Sequence, residues 1–365
     1  MMQKPASMMA VVTKGNGGYE MLEYKSVPTP NPGANEVLLK VLAAGINNTE
    51  INTRLGWYSS SVSEATATAS SNQVFGAEIK PDGGWNGATP FPLIQGTDCC
   101  GEVVELGAGT PVDLLGKRCL VRSCMRLEGF GSLETIWMAS DFDGAFAEYV
   151  KVPASEVFPI NCNWRDEELA TIPCAYGTSE NMLHRANVRN GETVLVTGAS
   201  GGVGSATVQL AKRRGAKVIA ITSLDKAQVL KSIGADRVLP RDANLLEEVR
   251  ENGVDVVVDN VAGTKFGEMI KLLRKGGRVV SSGAIAGPLV GFDMRDMYLK
   301  DISILGSTAW DEPVFPNLIG YVEREEIQPL LAQTYPLSDI VEAQKAFMKK
   351  EHIGKFVLIP PNLHR

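Results

Sequence analysis

The stretch from Glu192 to Thr222 constrains the fold of this chain more than any other. Val194–Thr197 is a short apolar run typical of a buried strand, and it leads into the glycine-rich turn Gly198–Gly204. A pattern of small and apolar residues at helical spacing follows and stops at Gly215, and a second strand is predicted over Lys217–Thr222. The unit is therefore strand, turn, helix and strand, with the glycines at the first strand-to-helix junction.

The turn carries the fingerprint of a dinucleotide site. Ala199, Gly201 and Gly204 occupy its first, third and sixth positions: a small residue for the tight turn, no side chain where backbone meets pyrophosphate, and close packing of helix on strand. Free N–H groups and the partial positive charge at the helix start would hold the phosphates. A purely structural glycine turn is the alternative, but the flanking strand and helix favour a nucleotide site.

Composition narrows the class of protein. The chain has 365 residues, 44% hydrophobic and 21% charged, which is ordinary for a globular enzyme of two domains. A net charge of −6 without a basic cluster argues against nucleic acid or an acidic membrane surface and leaves a small molecule as the expected partner. The first residues lack the apolar core of a signal peptide and no run approaches a membrane span, so a cytoplasmic location is predicted. Six dispersed cysteines, with no C-x-x-C pair, indicate no disulfide framework.

The chain divides by pattern into two domains. Residues 1–159 are rich in short strands separated by Gly and Pro turns. Residues 160–317 alternate strands and helices, which predicts a doubly wound parallel sheet. Residues 318–365 end in a helix and a strand that could return to the first domain, so the predicted fold class is α/β with a β-rich domain beside the parallel sheet. The segment 59–88, rich in Ser, Ala, Thr and Gly, is either a long loop or an insertion with little structure of its own.

Particular elements are predicted in the second half. The expected strands are 194–196, 218–221, 254–258, 278–281, 302–305 and 355–359, and the expected helices are 225–233, 243–251, 265–274 and 339–350.

Several short motifs, in order and spacing, resemble the medium-chain dehydrogenase/reductase superfamily over nearly the full length. They are Ala43–Asn47, Gly96–Asp98, Gly101–Val104, Gly144–Val150, the turn 199–204, Gly234–Asp236 and Gly354–Val357. The resemblance implies a GroES-like β-rich catalytic domain, residues 1–159 and 318–365. It also implies a Rossmann NADP-binding domain, residues 160–317, with the active cleft between the two.

The chain departs from the zinc-dependent members at two metal ligands. Asn47 stands where those enzymes carry a Cys and Thr97 where they carry a His, while Cys174 matches the third ligand. One thiolate cannot hold a catalytic zinc that normally takes three protein ligands, so no metal is predicted. Cys174 is interpreted as a small buried hydrophobe rather than a ligand, and Asp98 as a remnant acid of the metal site or a turn residue.

Without zinc the chain looks like the branch that includes quinone oxidoreductases and enoyl reductases. Enoyl reductases similar to it place a tyrosine facing the nicotinamide a few residues after such an Asn, and Tyr58 matches that place. Hydride transfer to an enone or quinone spreads negative charge, for which neutral hydrogen-bond donors suffice, and Tyr58 and the Asn48 amide are the predicted catalytic donors. The alternative is that Tyr58 only lines the cleft or packs against Trp57.

The end of the second strand bears on the choice of nucleotide. NAD-specific relatives carry an acid where this chain has Thr222, whereas Ser223 and Lys226 offer a hydroxyl and a positive charge for a 2′-phosphate, which favours NADPH. The alternative makes Ser223 a helix N-cap and Lys226 a solvated residue. The predicted cofactor contacts are Asn47, Thr178, Ala199, Ser200, Gly201, Gly202, Val203, Gly204, Ser223, Lys226, Gly283, Ala284 and Ile285. Thr178 matches a family threonine that touches the nicotinamide, or it bonds its own helix backbone.

Other functions remain open on the sequence. A zinc-independent alcohol or aldehyde dehydrogenase would polarise the carbonyl with side chains alone, and some relatives bind nucleotide without a catalytic role. A homodimer is predicted through the apolar, β-rich segment Ile302–Thr308, because an edge strand exposes N–H and C=O groups that pairing with a second copy satisfies.

Overall fold

The computed structural model describes residues 4–71, 84 and 86–361. The chain forms two compact units. The first comprises Met1–Val62, Asn72–Cys174 and Phe315–Arg365, and the second comprises Ser63–Ser71 and Ala175–Val314. The sequence predicts a second domain over 160–317, whereas residues 160–174 and 315–317 fall in the first unit of the structure.

The strands of the described residues follow in chain order: β1 (Ser7–Thr13), β2 (Leu22–Pro28), β3 (Glu36–Gly45), β4 (Leu93–Ile94), β5 (Cys100–Leu106), β6 (Arg118–Val121), β7 (Cys124–Met125), β8 (Ile136–Trp137), β9 (Tyr149–Pro153), β10 (Val157–Pro159), β11 (Thr193–Val196), β12 (Lys217–Ile221), β13 (Arg237–Leu239), β14 (Val254–Val258), β15 (Leu273–Ser281), β16 (Ser303–Gly306), β17 (Leu331–Pro336) and β18 (Lys355–Ile359).

The α-helices of the same residues are α1 (Asn48–Leu55), α2 (Thr66–Ser71), α3 (Asp166–Leu169), α4 (Pro173–Arg185), α5 (Gly202–Arg213), α6 (Ala227–Ser232), α7 (Leu245–Glu248), α8 (Phe266–Leu272), α9 (Met294–Tyr298), α10 (Val314–Glu323) and α11 (Ile340–Met348). Short 3₁₀ turns lie at Tyr19–Met21, Val112–Leu114, Ala154–Glu156, Leu224–Lys226, Gly263–Lys265 and Leu337–Asp339. No helix in the described part of the chain is long and apolar enough to cross a membrane.

The second unit is built on one parallel sheet with the strand order β13-β12-β11-β14-β15-β16. Numbered along the chain, that order is the doubly wound arrangement of dinucleotide-binding domains. Val194, Leu195 and Val196 of β11 are at most 1% exposed, because a central parallel strand is covered on both faces. The parallel sheet predicted from the alternating pattern is confirmed.

The first unit is β-rich. Its main sheet runs β10-β6-β5-β3-β18-β17, with β9 also paired to β3, and β2-β1-β4 forms a second sheet. The last strand, β18, pairs antiparallel with β3 through Val357 and Gly45, so the tail returns to the first domain as predicted. This pairing places the start of β18 beside the end of β3, from which α1 begins.

Part of the segment 59–88 has structure of its own. Residues Thr66–Ser71 form helix α2, whose first backbone N–H, on Thr66, donates to the carbonyl of Ile285 at 3.1 Å. Thr66 is 3% exposed. This part of the segment therefore docks on the second unit, while residues 72–83 and 85 lie outside the described residues.

Candidate active site

The glycine-rich turn has the shape that a pyrophosphate needs. A Cβ at Gly204 would lie 2.2 Å from the carbonyl oxygen of Gly198, so only glycine allows α5 to pack this closely on the turn. A Cβ at Gly201 would meet nothing nearer than 3.5 Å, so the space beside that backbone is open. The N-terminus of the 12-residue helix α5 begins there, at Gly202. A dinucleotide therefore fits this turn, with its phosphates at the helix N-terminus.

The carboxyl ends of three parallel strands are tied together beside this turn. Thr197, after β11, donates from its hydroxyl to Asp259 Oδ1 at 2.6 Å, and the following residue, Asn260, accepts at Oδ1 from the backbone and hydroxyl of Ser282, both at 2.9 Å. Burial raises the pKa of Asp259, although three hydrogen-bond donors oppose the shift. The half-buried segment Gly283–Ile285 follows directly and is held at the end of β14 by the bond from its last N–H to the Asn260 carbonyl, 3.3 Å.

Helix α4 is bonded to the first turn of α5. The hydroxyl of Ser179 donates to the carbonyl of Val203 at 2.7 Å and accepts from Thr207 at 3.1 Å. Thr178, the preceding residue, is half-exposed. Helix α4 therefore packs against the first turn of α5, and Thr178 lies one residue before that contact, in the same unit as the segment Gly283–Ile285.

The residues after β12 do not match the alternative interpretation, in which Ser223 is a helix N-cap and Lys226 is a solvated residue. Ser223 precedes the 3₁₀ turn Leu224–Lys226, yet its side chain makes no capping hydrogen bond. Lys226 is 4% exposed, so it is not a solvated residue. Thr222 is 1% exposed, and no acidic side chain stands at the strand end. Binding of a 2′-phosphate by Ser223 and Lys226 stays a prediction.

The first unit contains a buried polar network around Asn47 and Thr97, the two positions at which the sequence departs from the zinc-dependent members that it resembles. The ammonium group of Lys355 contacts the carboxylate of Asp98 and donates to Asn47 Oδ1. The Asn47 amide donates to Asp98 Oδ2 at 2.8 Å and to Thr97 Oγ1 at 2.9 Å. Glu50 accepts from Asn47 N at 2.7 Å and from Thr97 Oγ1 at 2.6 Å. Both hydrogens of the Asn47 amide are thus donated within the protein, and none is left to donate to a cofactor.

The network holds two carboxyl groups and one cation away from water. Lys355 is 2% exposed, Glu50 1% and Asp98 0%. Burial raises the pKa of Glu50, since its hydrogen bonds from Thr97 and the charge of Lys355 compensate only in part. Asp98 also accepts from the backbone N–H of Cys174 at 2.6 Å, so it acts as the junction of the network rather than as a turn residue.

These side chains do not fit a catalytic zinc. Asn47 and Thr97 present an amide and a hydroxyl rather than the Cys, His or carboxylate ligands of zinc, and the Lys355 ammonium already pairs with Asp98. Burial and the nearby Asp98 also raise the pKa of the Cys174 thiol to about 12. Within residues 4–71, 84 and 86–361, no group of three or more His, Cys, Asp or Glu side chains could hold a metal ion.

Tyr58 folds back on helix α1. The helix ends where Gly56 adopts a left-handed conformation with φ of 68°, and the chain turns there. The Tyr58 hydroxyl then hydrogen-bonds with the side chains of Thr49 and Asn52, and burial raises its pKa well above the usual value. The ring also meets Trp57 edge-on, with 5.5 Å between centroids, so the packing named as the alternative and a polar setting for the hydroxyl occur together.

Asn48, the other predicted donor, starts the same helix. Its Oδ1 accepts a hydrogen bond from the ammonium group of Lys350 at 2.8 Å. Asn48 and Thr49 are both half-exposed, whereas Asn52 is 4% exposed. Helix α1 therefore positions both predicted catalytic donors. Asn48 is its first residue, and Tyr58, which follows the helix, is held by hydrogen bonds to Thr49 and Asn52 of the helix.

Sequence reasoning missed Lys355, Lys350, Thr49 and Asn52. A signal existed for Lys355, because it is the first residue of a buried apolar strand, where a lysine needs a carboxylate partner. Asn48 and Asn52 stand four apart, the spacing of one helix face, which could have included Asn52. Nothing local marks Lys350.

Comparisons with known proteins cover the same two units. The family model described as "Alcohol dehydrogenase GroES-like domain" matches residues 33–162, and that described as "Zinc-binding dehydrogenase" matches residues 202–324. An acryloyl-coenzyme A reductase from Metallosphaera sedula is 30% identical, over 96% of this chain and 99% of the relative. A quinone oxidoreductase from Mus musculus is 28% identical, over 94% and 95%. The crystal structure of a candidate alcohol dehydrogenase from Sinorhizobium meliloti 1021 has 39% identity and a TM-score of 0.88, covering 99% of both chains.

The fold and these matches define an alcohol dehydrogenase-like enzyme with a GroES-like domain and a Rossmann domain, as the resemblance implies. The chain belongs to the medium-chain dehydrogenase/reductase superfamily, whose members are nicotinamide-dependent oxidoreductases.

Proposed function

We propose that this protein transfers a hydride from NADPH to a quinone or an α,β-unsaturated carbonyl compound without zinc. The observation that carries the proposal is the Lys355 network. In it the amide of Asn47 occupies a position that matches a metal ligand of the zinc-dependent members, and the ammonium group of Lys355 bonds to that amide. The names of two relatives, an acryloyl-coenzyme A reductase and a quinone oxidoreductase, support this substrate class.

The chemistry follows from the kind of charge that the site can stabilise. When bound, the dihydronicotinamide supplies the hydride. Reduction of a simple carbonyl concentrates charge on one alkoxide oxygen, for which a strong electrophile such as zinc is the usual partner. Addition to the β-carbon of an enone delocalises the charge into an enolate, and neutral donors aimed at its oxygen are sufficient.

Tyr58 is one such donor. Because burial raises its pKa, the phenol stays protonated near neutral pH and donates a hydrogen bond rather than losing its proton. Its contacts with Thr49 and Asn52 hold the hydroxyl in place, and a preorganised donor needs no rearrangement when charge develops. We assign to Tyr58 the stabilisation of the enolate or phenolate oxygen.

Asn48 is the second donor, through the Nδ2 hydrogens of its amide. In the second unit, we assign cofactor contacts to Thr178, the turn residues 199–204 and the segment Gly283–Ile285. Ser223 and Lys226 would contact the 2′-phosphate of NADPH. This assignment is supported by Thr222, which stands where NAD-specific enzymes carry an acidic residue that bonds the ribose.

A substrate panel tests the proposed function. Purified protein is assayed with NADPH and with NADH against a para-quinone, a short enoyl thioester and a simple aldehyde. We expect NADPH oxidation with the quinone or the thioester, and slower turnover with NADH. Turnover of the aldehyde alone would contradict the proposal, and so would tight NADPH binding without turnover of any compound.

The absence of zinc is a separate prediction. Because Asn47 and Thr97 replace two of three ligands, protein purified without chelators should contain well under one zinc per chain. Elemental analysis by mass spectrometry measures this directly, and dialysis against a chelator should leave turnover unchanged. Stoichiometric zinc that is lost when Cys174 is replaced by Ser would restore the alcohol dehydrogenase interpretation.

We also propose a homodimer formed by edge-to-edge pairing of β16. This strand lies at the end of the sheet order, and large apolar side chains near it are exposed: Met294 54%, Tyr298 57%, Leu299 63% and Ile304 46%. Light scattering at micromolar concentration should give twice the chain mass, and Ile304→Lys should shift the protein toward the monomer. The control is Val112→Lys in the first unit, a residue 82% exposed, which should leave the mass unchanged. A monomeric wild-type protein would rule out the dimer.

A further inference from the structure

The amide of Asn48 is held by a lysine from a distant part of the chain. Lys350 follows helix α11 with a φ of 57°, and its Nζ donates to Asn48 Oδ1 at 2.8 Å across 302 residues of sequence. The same nitrogen lies 3.9 Å from the centroid of the Phe347 ring. An ammonium group against an aromatic face and an amide oxygen is a defined position, since both contacts favour the cation.

The direction of this hydrogen bond determines which end of the amide is presented elsewhere. A lysine ammonium has three donors and no acceptor, so the group of Asn48 that faces it has to be the oxygen. The two Nδ2 hydrogens then point away from Lys350. A donor to a developing oxyanion has to present N–H and not C=O, because a carbonyl oxygen would repel the charge.

We propose that Lys350 is a positioning residue that locks the Asn48 amide with its Nδ2 hydrogens outward, ready to donate to the substrate oxygen. This inference rests on the proposed role of Asn48 in the reductase reaction. Lys350 itself is not assigned contact with the reacting atoms.

The lock depends on the charge of Lys350. Burial lowers the pKa of Lys350 to about 7, so the group titrates close to neutrality. A neutral amine has a lone pair and can accept from Nδ2 as well as donate to Oδ1, so it no longer selects one orientation of the amide. The rate constant measured in single-turnover assays should therefore be highest below this pKa and fall as the pH rises through it.

Other ionisable groups lie on the elements packed around Lys350. On its own segment they are the exposed Lys349 and Glu351, and His352, whose ring stacks on Phe347 at 5.1 Å and on Phe356 at 4.3 Å. Helix α1 carries Glu50, bonded to Thr97, and Arg54, bonded to the Gly17 carbonyl and to Gln344 of α11. The variants therefore have to distinguish the effect of the Lys350 charge on the pH profile from the effects of these groups, His352 in particular.

Three variants make that separation by pH profile. Lys350→Arg keeps a permanent cation, so its turnover should stay high from about pH 6 to about pH 9, beyond the fall of the wild type. Lys350→Met removes the cation and should be about tenfold slower at the low end of that range, the factor for losing a charged hydrogen bond. Lys345→Met is the matched control on α11, because Lys345 is exposed and pairs with Glu342 at 2.9 Å; it should keep the wild-type profile.

A profile for Lys350→Arg that matches the wild type would assign the titration to His352 or another group and overturn the proposal. Full turnover by Lys350→Met would also overturn it. A slow Lys350→Met variant that melts with the wild type and binds NADPH normally supports positioning, and in an Asn48→Ala background Lys350→Met should add nothing further.

A second readout does not need turnover. In protein labelled with ¹⁵N-asparagine, the side-chain amide signals that vanish in Asn48→Ala identify Asn48. They should shift with a midpoint near that of Lys350 in the wild type and stay constant in Lys350→Arg. If the protein reduced none of the assayed compounds, the proposed function would fail while this titration still reported on the lock. Asn48 amide signals that do not shift with pH in the wild-type protein would overturn the proposal that Lys350 positions this amide.

Discussion

Replacing Tyr58 with Phe should lower turnover about 10²–10³-fold, the usual effect of removing one preorganised donor to an oxyanion. The substitution keeps the ring and its edge-on contact with Trp57, and deletes only the hydroxyl that bonds Thr49 and Asn52. NADPH affinity should barely change, because the proposed cofactor contacts lie in the second unit, on the 199–204 turn and around Ser223. Single-turnover kinetics with an enone or quinone measures the effect on the chemical step.

The matched control is Tyr335→Phe, a partly exposed tyrosine of β17 whose ring lies 5.5 Å from Phe356. It should keep wild-type turnover. The deficit of Tyr58→Phe should be constant from about pH 6 to about pH 9, since burial raises the pKa of Tyr58 and the phenol stays protonated throughout. If Tyr58→Phe kept most of its turnover, Tyr58 would be a wall residue and Asn48 would carry the donor role.

Removing the cation of the buried network should cost more stability than any surface change. Lys355→Met leaves Asp98 and Glu50 buried without their ammonium partner, and breaking a buried ion pair in this way typically costs about 3–5 kcal/mol. Urea unfolding near neutral pH should show this loss in the free energy of unfolding. Lys349→Met, an exposed lysine at the end of α11, should change it by about 0.5 kcal/mol or less.

The sign of the pH dependence follows from Glu50. Its folded-state pKa is raised by burial, so the protonated form is favoured on folding and the contribution of Glu50 to stability is lost as the pH rises through that pKa. Lys355 lowers this pKa, so Lys355→Met should raise it further. The stability deficit of Lys355→Met should therefore be larger at neutral than at mildly acidic pH.

A second substitution isolates the charge from the loss of packing. Asp98→Asn combined with Lys355→Met removes both members of the pair, and should recover part of the stability lost by Lys355→Met alone. A double variant as unstable as the single one would assign the loss to the missing lysine side chain. A stable Lys355→Met variant would show that the network does not need its cation.

The parallel sheet could be predicted well from local patterns. Strand 254–258 and strand 355–359 have the predicted bounds, because each is a buried apolar run between turn residues. The helices were predicted too long: 243–251 is helical only over Leu245–Glu248, since Arg250 and Asn252 take positive φ values of 64° and 58°. The helix expected over 225–233 begins as the 3₁₀ turn Leu224–Lys226 and continues as α6.

What the sequence by itself determined is the nucleotide-binding unit and the kind of side chain at each position that matches a metal ligand of the zinc-dependent members. A strand, a glycine turn and a helix lie within about thirty residues, so the motif can be recognised without knowing any contact between remote parts of the chain. Tyr58 was predicted as a donor from the family resemblance and Asn48 from the chemistry of its amide, and both assignments stay predictions.

Only the tertiary structure decided which side chains surround helix α1. Lys355 reaches Asp98 across 257 residues of sequence, and Lys350 reaches Asn48 across 302. Side-chain contacts of this separation depend on the pairing of β18 with β3, which brings the chain's end beside the start of α1. The physical reason is that periodicity and motif spacing record which face of an element is buried, whereas the partner of a buried charge is set by the packing of elements that are remote in sequence.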